Sequence, residues 1–446
     1  MTMLKNIPLR EVATFKYGKT IRKQDISANG LYPVFSGYQI VGFDSKYAFE
    51  EPQLVIVCRG AGGTGDIKMS PEKCSITNLA IVINCDKEII DQDYLYWVLK
   101  LSDTYSLRTG SAQPQITIGS LENFRIEIIE DINTQKKISK ILSGLDNKIH
   151  LNNQINQSLE SIAQAIFKSW FVDFEPMRAK IAAKQEGKDA EFAAMCAISG
   201  KCEEELKQIA DDDLAELRAT AALFPDELVE SELGEVPAGW EVGCVEDIAT
   251  AKGGYAFKGS QFVEKGYPVI KIKNITGDGK VDIQGTQCID EKTARNAAKF
   301  MLHDCDLVMA MTGATVGKIG LVNTHGKSIY LNQRVAKFES EKFGGKISYF
   351  LFCLFNRKEY FEQIVGTAQG SAQPNISSSG IESTSIIVPN FELINLFIKN
   401  TDSIFQYWLK NGSTNNFLNQ IRDTLLPKLL SGDLDVSGLD LELTHE

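Results

Sequence analysis

The chain reads as an α+β protein made of a duplicated block, each copy followed by a long amphipathic helix. Three observations predict this. The heptapeptide Gly110-Ser111-Ala112-Gln113-Pro114-Gln115-Ile116 returns almost unchanged as Gly370-Ser371-Ala372-Gln373-Pro374-Asn375-Ile376. Inside each copy the apolar runs are short, rich in β-branched residues and separated by Gly, Pro and Asn, which is strand-and-loop spacing. Between and after the copies, apolar residues recur at steps of three and four over about forty residues, the period of a helix with one buried face.

In chain order, the anchors of the first copy reappear in the second. Leu9-Arg10-Glu11-Val12-Ala13-Thr14 resembles Val245-Glu246-Asp247-Ile248-Ala249-Thr250, and Gly18 and Gly254 follow at the same distance. Tyr32-Pro33-Val34 answers Tyr267-Pro268-Val269. The run Leu54 to Cys58 feeds a glycine-rich loop, as Leu307 to Met309 feeds Thr312 to Gly320, and Asn78 corresponds to Asn332. The period, roughly 235 to 260 residues, is far too long for a solenoid and suits a duplicated domain. Further strands are expected at Ile81 to Ile83, Ile126 to Ile129 and Ser385 to Val388, with one helix per copy at Tyr94 to Ser102 and Ile347 to Asn356.

The long helices are expected from Asn133 to Phe171 and in the last fifty residues. In the first, Ile138, Leu142, Leu145, Ile149, Ile155, Leu159, Ile162 and Ile166 make a narrow seam with a polar interruption near Asn152. In the second, Ile394, Ile398, Phe405, Trp408, Leu418, Ile421, Leu425 and Leu429 repeat it, with a break around Gly412 to Asn416. An ordinary core-facing helix has the same spacing. The duplication in front of each favours two seams that pack on each other, with Leu145, Ile149, Leu159, Ile162, Ile166, Trp408, Leu418, Ile421, Leu425 and Leu429 as the packing residues.

Composition is that of a soluble protein long enough for two or three cores. No apolar run approaches the ~20 residues of a membrane helix and Met1 to Glu11 lacks an apolar signal region, so a cytoplasmic protein is expected. Nine cysteines without a Cys-x-x-Cys pair and four scattered histidines point to free, mostly buried thiols and no metal site. The net charge of −11 is unevenly placed. Residues 181–240 carry 15 acidic and 5 basic side chains, and the tail from Ser431 adds five acids. Setting those aside leaves +4 on the two blocks and helices, which permits phosphate contact. The Ala-rich, charged stretch Arg178 to Ala222 is expected to be a solvated, partly helical insertion without chemistry of its own.

A catalytic site is not found. Gly60 to Gly65 after an apolar strand, with Asp86 about 20 residues on, imitates a dinucleotide fingerprint, but Asp66 to Thr77 contains Pro71 and lacks the helical period the pyrophosphate needs. Gly18-Lys19-Thr20 ends like a phosphate-binding loop, yet Ala13 stands where its first glycine belongs. No two prolines are adjacent, so the Asn-Pro-Pro-aromatic loop of amino-methyltransferases is missing. A large duplicated protein of this kind suggests recognition. Arg, Lys, Asn and Gln on glycine-rich loops suit DNA phosphates and base edges. The candidates are Lys16, Lys19, Arg22, Lys23, Arg59 and Lys68 in the first copy, and Lys252, Lys258, Lys271, Lys273, Thr315, Lys318 and Arg334 in the second. Gln113 and Gln373 are read as structural, a buried amide pinning the turn before an extended residue.

The residues that go furthest are Trp170-Phe171-Val172-Asp173-Phe174, Phe224-Pro225-Asp226, Ser231-Glu232-Leu233-Gly234, Pro237-Ala238-Gly239-Trp240 and Arg422-Asp423-Thr424-Leu425-Leu426-Pro427-Lys428-Leu429-Leu430-Ser431-Gly432. With the Gly-Ser-Ala-Gln-Pro repeats, they make the chain resemble, over nearly its whole length, the specificity subunits of type I restriction-modification enzymes. The resemblance implies two similar target-recognition domains, related by a pseudo-two-fold internal repeat and separated by two long antiparallel coiled-coil-like helices. The chain then divides into 1–132 and 236–390 as these domains, 133–174 and 391–432 as the helices, 175–235 as an acidic insertion that departs from the family's shortest members, and 433–446 as an acidic tail. The resemblance also implies a subunit without catalytic residues, cofactor or metal of its own. Double-stranded DNA, two modification subunits bringing S-adenosylmethionine, and restriction subunits using ATP and Mg would be its partners. Two other readings stay open: the specificity module of an enzyme divided differently, such as one with a fused methyltransferase, and a peptide-binding scaffold in which the basic loops play no part.

Overall fold

The computed structural model describes residues 4–60, 63–110, 113–367 and 375–439. The chain divides into two compact units, residues 1–150 with 417–446 and residues 151–416. Each long helix is continuous, Ile132–Phe171 and Phe391–Leu430, and contributes residues to both units.

In the first unit Leu54–Val57 is the centre. All four residues are buried, and the strand sits inside a four-stranded antiparallel sheet in the order Ala13–Tyr17, Ala80–Cys85, Leu54–Val57, Ile67–Met69. Leu54 and Ile56 face one apolar cluster with Tyr94, Leu95 and Ile128, while Val55 faces another with Phe35, Ile76 and Val82. A strand covered on both sides has no solvent face, which is why its sequence is a continuous apolar run. Tyr32–Phe35 lies between Ile40–Asp44 and, in parallel, Ser75–Ile76. The helix Gln92–Leu101 is capped by Asp91, whose carboxylate accepts the N–H of Tyr94, and the Tyr94 hydroxyl accepts Ile129 N–H at 3.0 Å.

The second unit repeats this topology. Its five-stranded sheet runs Thr250–Gly253, Val335–Glu339, Leu307–Ala310, Ile319–Leu321, Gly279–Lys280. Its first four strands occupy the places of the four in the first unit. Tyr267–Ile270 pairs in parallel with Ile329–Leu331, as Val34 and Phe35 pair with Ser75 and Ile76. The strands Leu4–Pro8 with Arg125–Ile129, and Glu241–Cys244 with Ser385–Val388, form the matching two-stranded ribbons. All nine cysteines are free, and only Cys202 is exposed.

Residues 175–224 fold into a small helical layer: Glu175–Gln185, Ala190–Ser199, Glu203–Leu206 and Asp211–Ala222. It has its own core of Ala194, Met195, Leu206 and Ala221. The acidic side chains are solvated as expected, yet Lys180 is 3% exposed, held by Glu191 Oε1 at 2.9 Å and the Phe224 carbonyl at 2.8 Å. Phe224 packs edge-on against Trp170, 5.2 Å between centroids.

The start of the central helix is fixed by Asp131, whose carboxylate accepts the hydroxyl and N–H of Thr134 at 2.6 and 2.9 Å. The two long helices run antiparallel: Asp146 meets Arg422 in the first unit, and in the second Asn152 meets Asn415 and Asn156 meets Asn411. The seam is as expected at Ile138, Leu142, Trp408 and Leu429, which are buried, while Leu145, Ile149, Leu159, Ile166, Leu418, Ile421 and Leu425 are half-buried. Ile162 is a correction, together with Ile155: they are 49% and 39% exposed. From Asn152 onward the buried face is Asn152, Asn156, Ala163, Phe167 and Trp170. The asparagines are part of the seam and not a gap in it, and Ile155 and Ile162 lie on its far side, while Leu159 and Ile166 still pack against the core.

Candidate nucleic-acid interface

In both units the same backbone scaffold carries the predicted loops. Gly18 sits where a Cβ would come 2.1 Å from Thr77 O, and Gly254 where it would come 2.2 Å from Leu331 O. Both glycines are therefore required by strand approach, not by a phosphate. The next residues, Lys19 and Tyr255, pair with Thr77 and Asn332. After the buried strand, Cys58 O accepts Ile116 N–H and Met311 O accepts Ile376 N–H, both at 2.9 Å, with Arg59 opposite Gln115 and Thr312 opposite Asn375. The end of the repeated heptapeptide thus lies beside the glycine-rich loop in each unit. Ser111, Ala112 and residues 368–374, Gln373 included, lie outside the described residues. Gln113 is exposed, so it is not the buried pin expected of it. The backbone pairing of Thr109 with Gln115 and the left-handed Gly110, at φ 88°, hold that turn instead.

The loop Gly60–Gly65, of which Ala61 and Gly62 lie outside the described residues, leads into the strand Ile67–Met69, so no helix N-terminus is available for a pyrophosphate. Gly60 and Gly63 make room for a ring: a Cβ on Gly60 would stand 2.3 Å from the Tyr38 hydroxyl, which donates to Arg59 O at 3.1 Å. Three residues that sequence reasoning missed brace the same loop. Thr104 donates to Gly65 O at 2.7 Å, Arg108 Nε donates to Thr64 O, and the Tyr105 hydroxyl donates to Asp66. That last bond pushes the Tyr105 phenol above its ordinary pKa. Arg108 also stacks over the Tyr105 ring at 4.3 Å. The only signal was an arginine close to an aromatic just before the heptapeptide.

The predicted cations divide into groups. Arg59 lies 5.6 Å over the Tyr17 ring beside Gln115. Lys19 and Arg22 are exposed on the adjoining segment, and the side chain of Lys23 lies outside the described ones. Lys16 and Lys68 occupy one row across the sheet, Lys16 opposite Val82, Val82 opposite Val55, and Val55 opposite Lys68, so they flank the sheet on one face.

In the second unit the turns Ile272–Asn274 and Gly313–Thr315 meet. Thr315 Oγ1 donates to Ile272 O at 3.2 Å and Lys318 Nζ to Thr276 O at 3.4 Å. Lys271 Nζ lies 3.6 Å from the centre of the Phe262 ring and donates to Gln287. Burial and the neighbouring Lys273 lower the pKa of its ammonium. Met311 N–H donates to Arg334 O at 3.0 Å, which sets the exposed Arg334 beside this loop. Lys271, Lys273, Thr315, Lys318 and Arg334 are thereby gathered, and Lys258 is exposed on the segment leading to Phe262.

Lys252 leaves the set. It corresponds to Lys16, but the residue opposite is Lys337 instead of valine. Two ammonium groups side by side draw in carboxylates: Glu339 lies 2.7 Å from Lys252 and 3.5 Å from Lys337, and Asp306 3.1 Å from Lys337. These line a groove of about 920 Å³ with Lys346 and Tyr349, where the lysine charge is already compensated. Among the described residues no helix is long and apolar enough to cross a membrane, and no group of three or more His, Cys, Asp or Glu is placed to hold a metal ion.

The geometry therefore offers two separately built surfaces of loops, cations and backbone amides, chemistry suited to a phosphate backbone and base edges. The model of the type I restriction modification DNA specificity domain matches residues 3–161 and again 237–419. The specificity subunit of type I restriction enzyme HindI from Haemophilus influenzae is 34% identical over 375 residues, covering 79% of this chain and 80% of that protein. The MjaIX specificity subunit of Methanocaldococcus jannaschii is 25% identical over 359 residues, 79% of this chain and 71% of that one. The fold is shared with the S subunit of a type I restriction-modification system from M. genitalium, TM-score 0.60 at 15% identity over 96% of each chain. The duplication seen first in a heptapeptide is thus the duplication of a recognised domain, and the chain belongs to the DNA specificity subunits of type I restriction-modification systems.

Proposed function

We propose that the two domains read the two halves of a bipartite, asymmetric DNA target and that the chain, without a catalytic site of its own, directs adenine methylation or cleavage by partner subunits. The observation that carries this reading is that the paired loops share one backbone scaffold and differ in side chains. Arg59 stands where Thr312 does, Gln115 where Asn375 does, and Lys19 where Tyr255 does. Equal scaffolds with unequal side chains suit two readers of different sequences. The long helices suit a spacer, since 40 residues at 1.5 Å per residue span about 60 Å. Under this reading modification subunits, two in number, supply S-adenosylmethionine, restriction subunits supply ATP and Mg chemistry, and the complex works in the cytoplasm.

Single-molecule sequencing of adenine methylation tests it, in cells carrying this chain with its methyltransferase, before and after residues 32–124 are exchanged for those of another family member. A two-part motif in which one half changes supports the reading. A motif independent of this chain overturns it and favours a peptide-binding scaffold, whose affinity would show little salt dependence where DNA contact shows a steep one.

A further inference from the structure

The second unit contains a polar node that the recognition surfaces do not use. Asn152, Asn156 and Asn415 are 2%, 4% and 8% exposed in the middle of the helix seam. Their amides are met by partners across the helix pair. Asn152 Nδ2 donates to Asn415 Oδ1 at 2.8 Å, and Asn415 Nδ2 donates to Asn153 Oδ1 at 3.0 Å. Asn411 Nδ2 donates to Asn156 Oδ1 at 2.9 Å, while Asn156 Nδ2 donates to the Trp408 carbonyl at 3.1 Å.

On another side of the same stretch, the loop after Ile319–Leu321 grips the C-terminal helix. Asn323 Nδ2 donates to Leu409 O at 2.8 Å, and its Oδ1 accepts the Ser413 hydroxyl at 3.0 Å. Gly412 is the clearance for that contact, because a Cβ there would meet Asn323 Nδ2 at 2.9 Å. Within a few residues, then, the helix is keyed both to its partner helix and to the second domain.

Apolar seams tolerate alternative registers, because leucine, isoleucine and phenylalanine pack without direction. Paired buried amides do not. A slip of one turn sets Asn156 against Phe405 and Trp408 in one direction. In the other it sets Asn156 against Asn415 and removes the Trp408 carbonyl from its amide. Either way, buried amides lose their present partners in surroundings where an unmet donor is expensive.

We propose that Asn152, Asn156, Asn411 and Asn415, with Asn323 seated on Gly412, are the register key of the helix pair, positioning residues that hold the spacing between the two halves of the DNA target to a single value. This rests on the bipartite reading above.

The test uses the complex of the full chain with its methyltransferase subunits. Its substrates are duplexes carrying the two half-sites of the wild-type motif at the native spacing and at one base pair more or less. Wild type is expected to prefer the native spacing by at least about tenfold, the discrimination of one mismatched pair. The double variant Asn152→Leu/Asn415→Leu replaces both partners of the buried pair, and the amide that loses a donor, Asn153, is exposed to water. It is expected to methylate the native duplex and to bring the other two within about threefold of it. Gly412→Ala, which pushes Asn323 off the helix, is expected to loosen the spacing in the same direction.

A folded variant that keeps the wild-type preference overturns the proposal. So does loss of folding in both variants, since that makes the node a stability element and not a key. A wild-type complex with no two-part motif overturns the bipartite reading itself, a result distinct from unchanged spacing.

Discussion

Glu339 lies 2.7 Å from Lys252 and shares its carboxylate with Lys337, whereas Lys16, at the same place in the other repeat, faces Val82 and has no carboxylate partner among the described residues. One repeat position is therefore a free cation and the other a compensated one. A free lysine that neutralises a phosphate contributes close to one unit to the slope of log affinity against log salt. Lys16→Ala is expected to lower that slope by about one and weaken binding uniformly across sequences. Lys252→Ala is expected to leave it unchanged, which DNA-binding titrations from low to high salt would reveal.

The glycines that begin each recognition domain provide a second test. At Gly18 and Gly254 the obstructing atoms are backbone carbonyls, which cannot rotate aside. Alanine at either position is expected to cost about 1–3 kcal/mol, the range of overpacking. Each substitution should impair recognition of one half-site only, measurable by competing duplexes altered in one half at a time.

The helix start at Asp131 predicts a pH dependence. Hydrogen bonds from the Thr134 side chain and then its N–H hold the carboxyl below its ordinary pKa. The folded value is the lower one, so the stabilisation is complete above the unfolded value of about 4 and is lost as pH falls through the folded one. Asp131→Ala should cost about 1 kcal/mol at neutral pH, as cap removal does. The difference from wild type should shrink in urea titrations below that pH.

Lys180 predicts where the acidic segment is vulnerable. Its ammonium is buried against Glu191 and the Phe224 carbonyl. Glu191→Gln leaves that charge without its counter-ion and is expected to destabilise the helical layer by about 3 kcal/mol, less if water reaches the half-exposed glutamate. Lys180→Met should be milder. Hydrogen exchange across 175–224 would rise in the first variant, with the methylated motif unchanged in both.

Much of this protein was readable in its residues because the signals are local. A strand buried on both faces must be continuously apolar, as Leu54–Val57 is, and a duplicated heptapeptide announces a duplicated domain before any contact is known. The helices were legible from their period, and the helical character of 175–224 from its alanines. What sequence could not supply was pairing at a distance. Asn152 and Asn156 look like an interruption until Asn411 and Asn415 lie opposite them, and that misplaced Ile162. Lys16 and Lys252 are the same residue in the repeat, and only the strand beside each makes one free and the other paired. The glycine-rich loop imitates a nucleotide loop until Tyr38 occupies the space that Gly60 and Gly63 leave. Periodicity, propensity and repetition are properties of neighbours in the chain, so the sequence by itself determined the blocks, the helices and the family. Charge compensation, amide matching and steric clearance are properties of neighbours in space, and those the tertiary structure decided.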